Sequence, residues 1–444
     1  MRGLDLDVTE KVQEYLNFKS FVFNPSMASI KDDKYLFSVR SYRHSFNVPF
    51  EKDTDKQHPW KTNWTGKNDK TYVFPVTYKT NVEKGVDSFE CIKGGKWPLV
   101  LNGEDARIFY LMTVDNYNIY ILTYNVKYKN HKEYILKGGN LCDDYCGVVD
   151  WGMLNLNIDN LEYTYNPGEL PLCLNISNPV EKNWSIWTIK YNDEPYLMTS
   201  YGLVPEHNVF SFKILGIENG KVVGGTDCVM KTPYTRKEGI DNIFNSLENY
   251  FTGGNLFVSL TTQTCLVKDN IYQSIGHIKV KINYLKQLVK LGNKSNLSKF
   301  TQKYLVKEKR IYYHPTYVYF MFFYRFRVIL PGEKRKQKII KFNSSPSIKL
   351  TGTSIRFNTE LISVSPAFIL DVDERNYFLN FPTGMVLNDN TTLITYGNGD
   401  TTAHIVSFLN KDVDDFLKPV ENITPKNFKF KIARIDENRY VNIK

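Results

Sequence analysis

The chain is poor in the features that would fix its class at once. Its six cysteines are Cys91, Cys142, Cys146, Cys173, Cys228 and Cys265. Cys142 and Cys146 are close together, but no second such pair follows. Zinc needs four clustered ligands, so no metal site is supported and free thiols in a reducing compartment are expected. No stretch approaches the roughly 20 apolar residues of a membrane helix. The apolar, aromatic run Thr316–Phe323 is far too short. The segment Met1–Glu10 is acidic and lacks an apolar run, so it does not read as a secretory signal, and a cytoplasmic location is expected. A Gly-rich phosphate loop, a Ser nucleophile elbow and a His-Glu-x-x-His motif are all missing. The commonest nucleotide hydrolases, serine hydrolases and zinc proteases are thereby set aside.

Aromatic residues, by contrast, are plentiful, at 14% with 30 Tyr and 28 Phe among 444 residues. Such side chains suit half-buried pleated surfaces, which favours strands. The net charge of +10 is concentrated in Lys286–Arg310 and Glu333–Lys341. No RNA-recognition signature, finger spacing or helix-turn-helix pattern accompanies these lysines, so no nucleic-acid partner is expected.

One pattern, a short Asx-rich turn followed by an aromatic-rich strand, occurs five times. Its copies begin at Lys31, Asp115, Asn192, Lys268 and Asn388. Asn and Asp suit such turns because they tolerate left-handed backbone. With Tyr35, Tyr120, Tyr196, Tyr272 and Ile394 as anchors, most gaps are about 80 residues, the size of a four-stranded propeller blade with decoration. The expected fold is all-β: a single five-bladed β-propeller over residues 1–444, with a few helical insertions. Decorations are expected at 41–98 and 284–310, and a short helix at Asp241–Tyr250.

A polar cluster precedes each anchor: Asn24-Pro-Ser, Glu104-Asp-Ala-Arg107, Glu181-Lys-Asn-Trp184, Gly253-Gly-Asn255 and Phe381-Pro-Thr-Gly384. In a propeller the innermost strands run along the axis, so equivalent points of all blades converge on one face of a central well. The clusters would then either share one site or fix blade geometry as turn residues. In an extended segment Asp105 and Arg107 share a face and Glu104 takes the other. A carboxylate beside a guanidinium makes an acid/base unit, or an ion pair tying two strands. Lys182, Asn183 and Trp184 can hold a phosphate and bond or stack on a sugar, or serve as core aromatics beside an exposed lysine. His207, His277 and Asp400 follow their anchors at matched places.

These motifs, in this order, resemble glycoside hydrolase family 130, the inverting β-mannoside phosphorylases and hydrolases, together with the related β-1,2-mannosyltransferases. Asn24-Pro-Ser with Arg40 resembles the family's Asn-Pro followed by a strand ending in Arg. Glu104-Asp-Ala-Arg107 resembles its Glu-Asp-Pro-Arg, Lys182-Asn-Trp184 its Lys-Asn-Trp, and Phe381-Pro-Thr-Gly384 with Tyr396-Gly-Asn-Gly-Asp400 its last blade. The resemblance implies five blades, Asp105 as catalytic acid, Lys182 on phosphate and Asp400 on the sugar. It differs at Ala106, where the family has Pro, and in lacking an Arg-Asn pair downstream of Asp105. This version also resembles propellers of large DNA viruses and protists, which would place it in a host cytoplasm or a virion.

The activity expected is inverting glycosyl transfer or phosphorolysis on a mannoside-like sugar, with a sugar phosphate or nucleotide sugar and a glycan acceptor as partners, and with no metal or other cofactor. Asp105 would act on the acceptor proton, with Arg40, Lys182 and His207 holding the phosphate. Glu104, Asn24, Arg107, Asn183, Trp184, His277 and Asp400 would complete the substrate site. An inverting hydrolase with Asp150, Glu206 or Asp400 as water-activating base is the alternative, and a non-catalytic glycan- or protein-binding propeller a third. The segment Lys286–Arg310, with Leu285, Leu288, Val289 and Leu291 at near-helical spacing, would either pack on the rim or make a weak contact with an anionic membrane surface.

Overall fold

The computed structural model describes residues 1–17, 21–42, 69–128, 146–167, 184–202, 207–213, 216–218, 221–223, 256–260, 262–281, 317–330, 357–371, 380–399, 402–423, 427–436 and 438–443. The chain opens with β1 (Arg2–Asp7) and α1 (Thr9–Leu16). Blade 1 is the antiparallel set β2 (Val22–Lys31), β3 (Lys34–Tyr42), β4 (Asp69–Asn81) and β5 (Val86–Cys91), with β6 (Leu99–Leu101) on the free half of β4. Much of the expected 41–98 decoration is thus the outer half of this blade. Blade 2 is β7 (Glu104–Val114), β8 (Tyr117–Tyr128), β9 (Cys146–Asn157) and β10 (Tyr163–Pro167). Blade 3 shows β11 (Ser185–Tyr191), β12 (Glu194–Gly202) and β13 (Asn208–Lys213), followed by a separate hairpin of β14 (Gly216–Glu218) and β15 (Lys221–Val223).

Blade 4 begins with an interrupted inner strand, β16 (Leu256–Leu260) and β17 (Cys265–Lys268), both paired with β18 (Ile271–Lys281). Outside lies β19 (Tyr317–Ile329), whose far edge is covered by β20 (Asn358–Val364) and touched by β21 (Ala367–Asp371). Blade 5 is β22 (Asn380–Leu387), β23 (Thr391–Asn398) and β24 (Thr402–Leu409), and the N-terminal β1 completes it as a fourth strand. The helix α2 (Asn410–Phe416), β25 (Lys418–Pro419), β26 (Phe430–Ile435) and β27 (Tyr440–Asn442) end the chain. Here β26 runs parallel to β21 and β27 pairs with β1, so the outer edges of blades 4 and 5 are joined instead of left open. That removes two edges that could recruit foreign strands. The segments 241–250 and 284–310, with the helices expected there, lie outside the described residues.

Turn chemistry explains the repeat. In four of the anchor hairpins an Asx residue sits at positive φ: Asp32, Asp115, Asn192 with Asp193, and Asp269. The closing pairs Lys31↔Lys34, Val114↔Tyr117, Tyr191↔Glu194 and Lys268↔Ile271 leave two residues in each loop. Two-residue hairpins need left-handed backbone to match strand twist, and Asx supplies it. The fifth turn is longer and differently held: Asn388 N–H donates to the Thr391 carbonyl at 2.9 Å, and Asn410 Nδ2 donates to the Asn388 carbonyl at 2.7 Å. Between blades the faces are apolar. Phe37, Phe74 and Phe89 fill the junction of blades 1 and 5, and Trp187, Tyr272 and Phe326 that of blades 3 and 4.

Candidate active site

Among the described residues, three inner strands carry a bulge near their start. Phe23 faces Arg40 while Ser26 faces Ser38, Glu104 faces Asn125 while Arg107 faces Thr123, and Pro382 faces Tyr396 while Gly384 faces Thr395. Each inserts one residue and re-aims the side chains beside it. In blades 1 and 2 the bulge contains a non-glycine residue in left-handed backbone, Asn24 at φ 49° and Asp105 at φ 51°. These two meet: Asn24 Nδ2 donates to Asp105 Oδ1 at 2.8 Å.

The bulge overturns the alternation expected of an extended Glu104-Asp105-Ala106-Arg107. Both carboxylates turn to one cation, with Arg40 Nη1 at 3.2 Å from Asp105 Oδ1 and Arg40 Nη2 at 3.3 Å from Glu104 Oε1. Arg107 bonds the main chain of Asp105, its Nη1 donating to the carbonyl at 3.1 Å. Burial pulls Arg107 down to about 10 against the raising effect of Asp105, which leaves it charged at neutral pH. Asn24, Arg40, Glu104, Asp105 and Arg107 are all buried. Two carboxylates and two guanidinium groups therefore balance in a low-dielectric setting, where unpaired charge would be costly.

The bulges are held from below by neutral groups. Ser38 Oγ donates to the Ala106 carbonyl at 3.0 Å, Ile108 N–H donates to Ser26 Oγ at 3.2 Å, and Thr383 Oγ1 donates to the Pro25 carbonyl. Gly397 and Gly384 let blade 5 approach. A Cβ at Gly397 would stand 2.8 Å from Asn24 N and run into the Asn24 amide oxygen, and one at Gly384 would stand 2.9 Å from Met27 N. The Phe381-Pro-Thr-Gly384 and Tyr396-Gly397 motifs thus act here as the joint between blades 5 and 1. Gln263 and the flanking Thr262 and Thr264 complete this layer. They carry no motif, and their one sequence signal is a polar Thr-Thr-Gln-Thr run where an inner strand should be.

Other expected site residues lie elsewhere. His207 is one of them. Its Nδ1 bonds Thr359 Oγ1 at 2.9 Å on β20, the outer side of blade 4, and its Nε2 bonds Ser200 Oγ at 3.0 Å. Burial pulls it down to about 3, so it is neutral and offers no charge to a phosphate. Trp184 is 1% exposed and presents no ring face for a sugar to stack on. Arg40, expected on the phosphate, has both terminal nitrogens beside protein carboxylates. His277, on β18, packs against Tyr319 and Phe381 with ring centroids 5.2 and 5.3 Å away. Asp150 is buried on β9, its Oδ1 accepting from Trp151 N–H at 3.1 Å. Lys182, Asn183, Glu206 and Asp400 lie outside the described residues. Among the described residues no cluster of His, Cys, Asp and Glu could hold a metal ion. Cys91 and Cys265 are free thiols.

No protein-family model and no curated protein matches the chain. Among solved structures it is similar to a mannose phosphorylase from Leishmania mexicana in complex with phosphate, at 12% identity over 92% of this chain and 89% of that one, TM-score 0.40. It is also similar to a β-1,2-mannobiose phosphorylase from Listeria innocua, at 12% identity over 89% and 92%, TM-score 0.39. A GDP-Man-dependent mannosyltransferase from Leishmania mexicana shows 10% identity over 93% and 95%, TM-score 0.36.

Proposed function

We propose that the chain is a carbohydrate-active enzyme that acts on a mannoside-like sugar with inversion, and that Asp105 exchanges the proton. The observation that carries this is the meeting of Asn24 and Asp105. Two residues in left-handed backbone, from bulges on neighbouring inner strands, are brought into contact beside a shared guanidinium. Left-handed Asx residues also close the hairpins, but these two sit in bulges inside strands, and bulges re-aim side chains and are over-represented beside active sites. The mannoside class is what the ordered motifs resemble.

In the transfer direction Asp105 takes the proton of the acceptor hydroxyl, directly or through a neighbouring substrate hydroxyl, as that oxygen attacks the anomeric carbon from the face opposite the leaving group. In the reverse direction the same carboxyl delivers the proton to the departing oxygen. Arg40 and Asn24 fix the carboxyl by bonding the same Oδ1, which leaves Oδ2 for the substrate.

Hydrolysis is the second reading, favoured by the engagement of Arg40 and the neutrality of His207, two of the three residues expected on a phosphate. Asp150 would be the base. It lies on β9, two strands out from the β7 that carries Asp105, and an inverting hydrolase would need the two carboxyl groups about 6.5–9.5 Å apart. Incubating the protein with β-1,2-mannobiose, with and without phosphate, and with GDP-mannose plus a mannose acceptor separates the readings. Mannose 1-phosphate or an extended acceptor supports transfer, and free mannose alone supports hydrolysis. No turnover of any of the three would remove the mannoside reading.

A further inference from the structure

The inner strand of blade 4 is interrupted between β16 and β17, and the chain there leaves its sheet. Thr264 bonds blade 3, with its N–H donating to the Ile186 carbonyl at 3.3 Å and its Oγ1 2.7 Å from Ser185 Oγ. Gln263 reaches the other three blades. Its Nε2 lies 2.9 Å from Ser26 Oγ and 3.2 Å from the Met27 carbonyl in blade 1, and bonds the Ile108 carbonyl in blade 2. Its Oε1 accepts from Met385 N–H in blade 5 at 3.0 Å. One buried side chain from blade 4 thus touches the inner strands of blades 1, 2 and 5.

The contact points matter. Ser26 is two residues from Asn24, and Ile108 is three from Asp105. Met385 is two residues from Thr383, whose hydroxyl holds the carbonyl of Pro25, next to Asn24. We infer that Gln263 is the positioning residue for Asp105: it locks the two bulges in register so that Asn24 and Arg40 meet the carboxyl. This extends the proposed function, which supplies the reason Asp105 must be held. The chemistry selects glutamine. The site needs donors at one end, an acceptor at the other and no charge, at a reach that asparagine lacks. Methionine of similar size would leave the Ile108 and Met27 carbonyls and the Met385 N–H without this partner. Glutamate would keep the acceptor and lose the donors.

The test compares Gln263→Met, Gln263→Glu and the wild type, labelled with 13C at the aspartate carboxyl carbon. The Asp105 resonance is assigned by its loss in Asp105→Asn, and that of Asp5, buried in blade 5, by its loss in Asp5→Asn. A folded Gln263→Met protein is expected to shift or broaden the Asp105 signal while that of Asp5 stays in place. Gln263→Glu is expected to do the same at neutral pH and to recover part of the wild-type position as the introduced carboxyl is protonated and regains a donor. In a turnover assay kcat should fall on the order of tenfold to a hundredfold with KM nearly unchanged, as a misplaced reacting group predicts. An unmoved Asp105 signal, equal movement at Asp5, or unfolding of both variants would overturn the inference and leave Gln263 as a residue of the fold. If the wild type turns over no mannoside yet its Asp105 signal responds to Gln263→Met, the proposed function fails and the positioning role stands. If the wild type turns over a mannoside and Gln263→Met keeps normal kcat with an unmoved signal, the positioning role fails and the proposed function stands.

Discussion

Among the described residues, two polar clusters built around buried carboxylates differ in construction. In blade 5, Asp5 accepts from Tyr396 Oη at 2.8 Å and pairs with His404 Nδ1 at 3.1 Å, while His404 Nε2 bonds Thr402 Oγ1 at 3.0 Å and Asp7 lies 3.8 Å away. Every member comes from adjacent strands of one sheet in regular register, His404 facing Asp7 on one side and Tyr396 on the other. This cluster joins the first strand of the chain to the last blade and so closes the ring. The Asp105 cluster spans two blades, breaks register in both, and uses arginines in place of groups that titrate near neutrality. An assembly meant to hold the ring needs only the sheet. The Asp105 cluster instead draws on bulges, left-handed backbone and contacts from other blades.

Removing the shared cation should have the largest effect on stability. Arg40→Met leaves Glu104 and Asp105 buried without it, and such a break costs about 3–5 kcal/mol, to be read from urea denaturation. Next comes the joint between blades 5 and 1. Gly397→Ala places a methyl group against Asn24, and overpacking of this kind costs about 1–3 kcal/mol. Because the clash falls on Asn24, this variant should also disturb the Asp105 cluster, whereas Tyr396→Phe in the closure cluster should lower the melting temperature alone.

The smallest effect is the pH dependence of the closure. Burial by itself lowers His404, but the Asp5 charge, the Asp5 hydrogen bond and the Asp7 charge together leave it raised above its ordinary value of 6.5, within a layer that also holds Tyr396. A raised folded value means that the folded state binds the proton more tightly. The stabilisation is fully present below the unfolded value and is lost as pH rises through the folded one. Thermal melts from pH 6 upward should show wild-type stability falling relative to His404→Gln, by up to about 1.4 kcal/mol for each unit that His404 is raised. Parallel melting curves across that range would remove His404 from the account.

The two clusters also differ in how far the sequence betrays them. Asx turns and aromatic strands mark the hairpins because local backbone chemistry dictates both. The polar clusters at the strand starts were legible for the same reason: Glu104 opens β7, Trp184 precedes β11 and Phe381 lies in β22. The bulges were not. Period-two alternation carries no sign of an inserted residue, so Asp105 and Arg107 read as a pair of side chains on one face. His207 stood at a matched place after its anchor, but the outer strand that buries it comes some 150 residues later, and nothing local marks the meeting. Gln263 is in the same position. Its partners belong to three other blades, and such contacts leave no periodic trace.

The proposed division makes Asp105 a reacting group and Asp5 a structural one. Turnover and melting temperature of Asp105→Asn and Asp5→Asn, measured side by side on the mannoside the wild type converts, test it most directly. Asp105→Asn is expected to lower kcat by about 10²–10⁴, the usual contribution of acid/base catalysis, and to stay folded. Asp5→Asn should lower the melting temperature and keep kcat. Near-normal turnover in Asp105→Asn would rule Asp105 out as the reacting group.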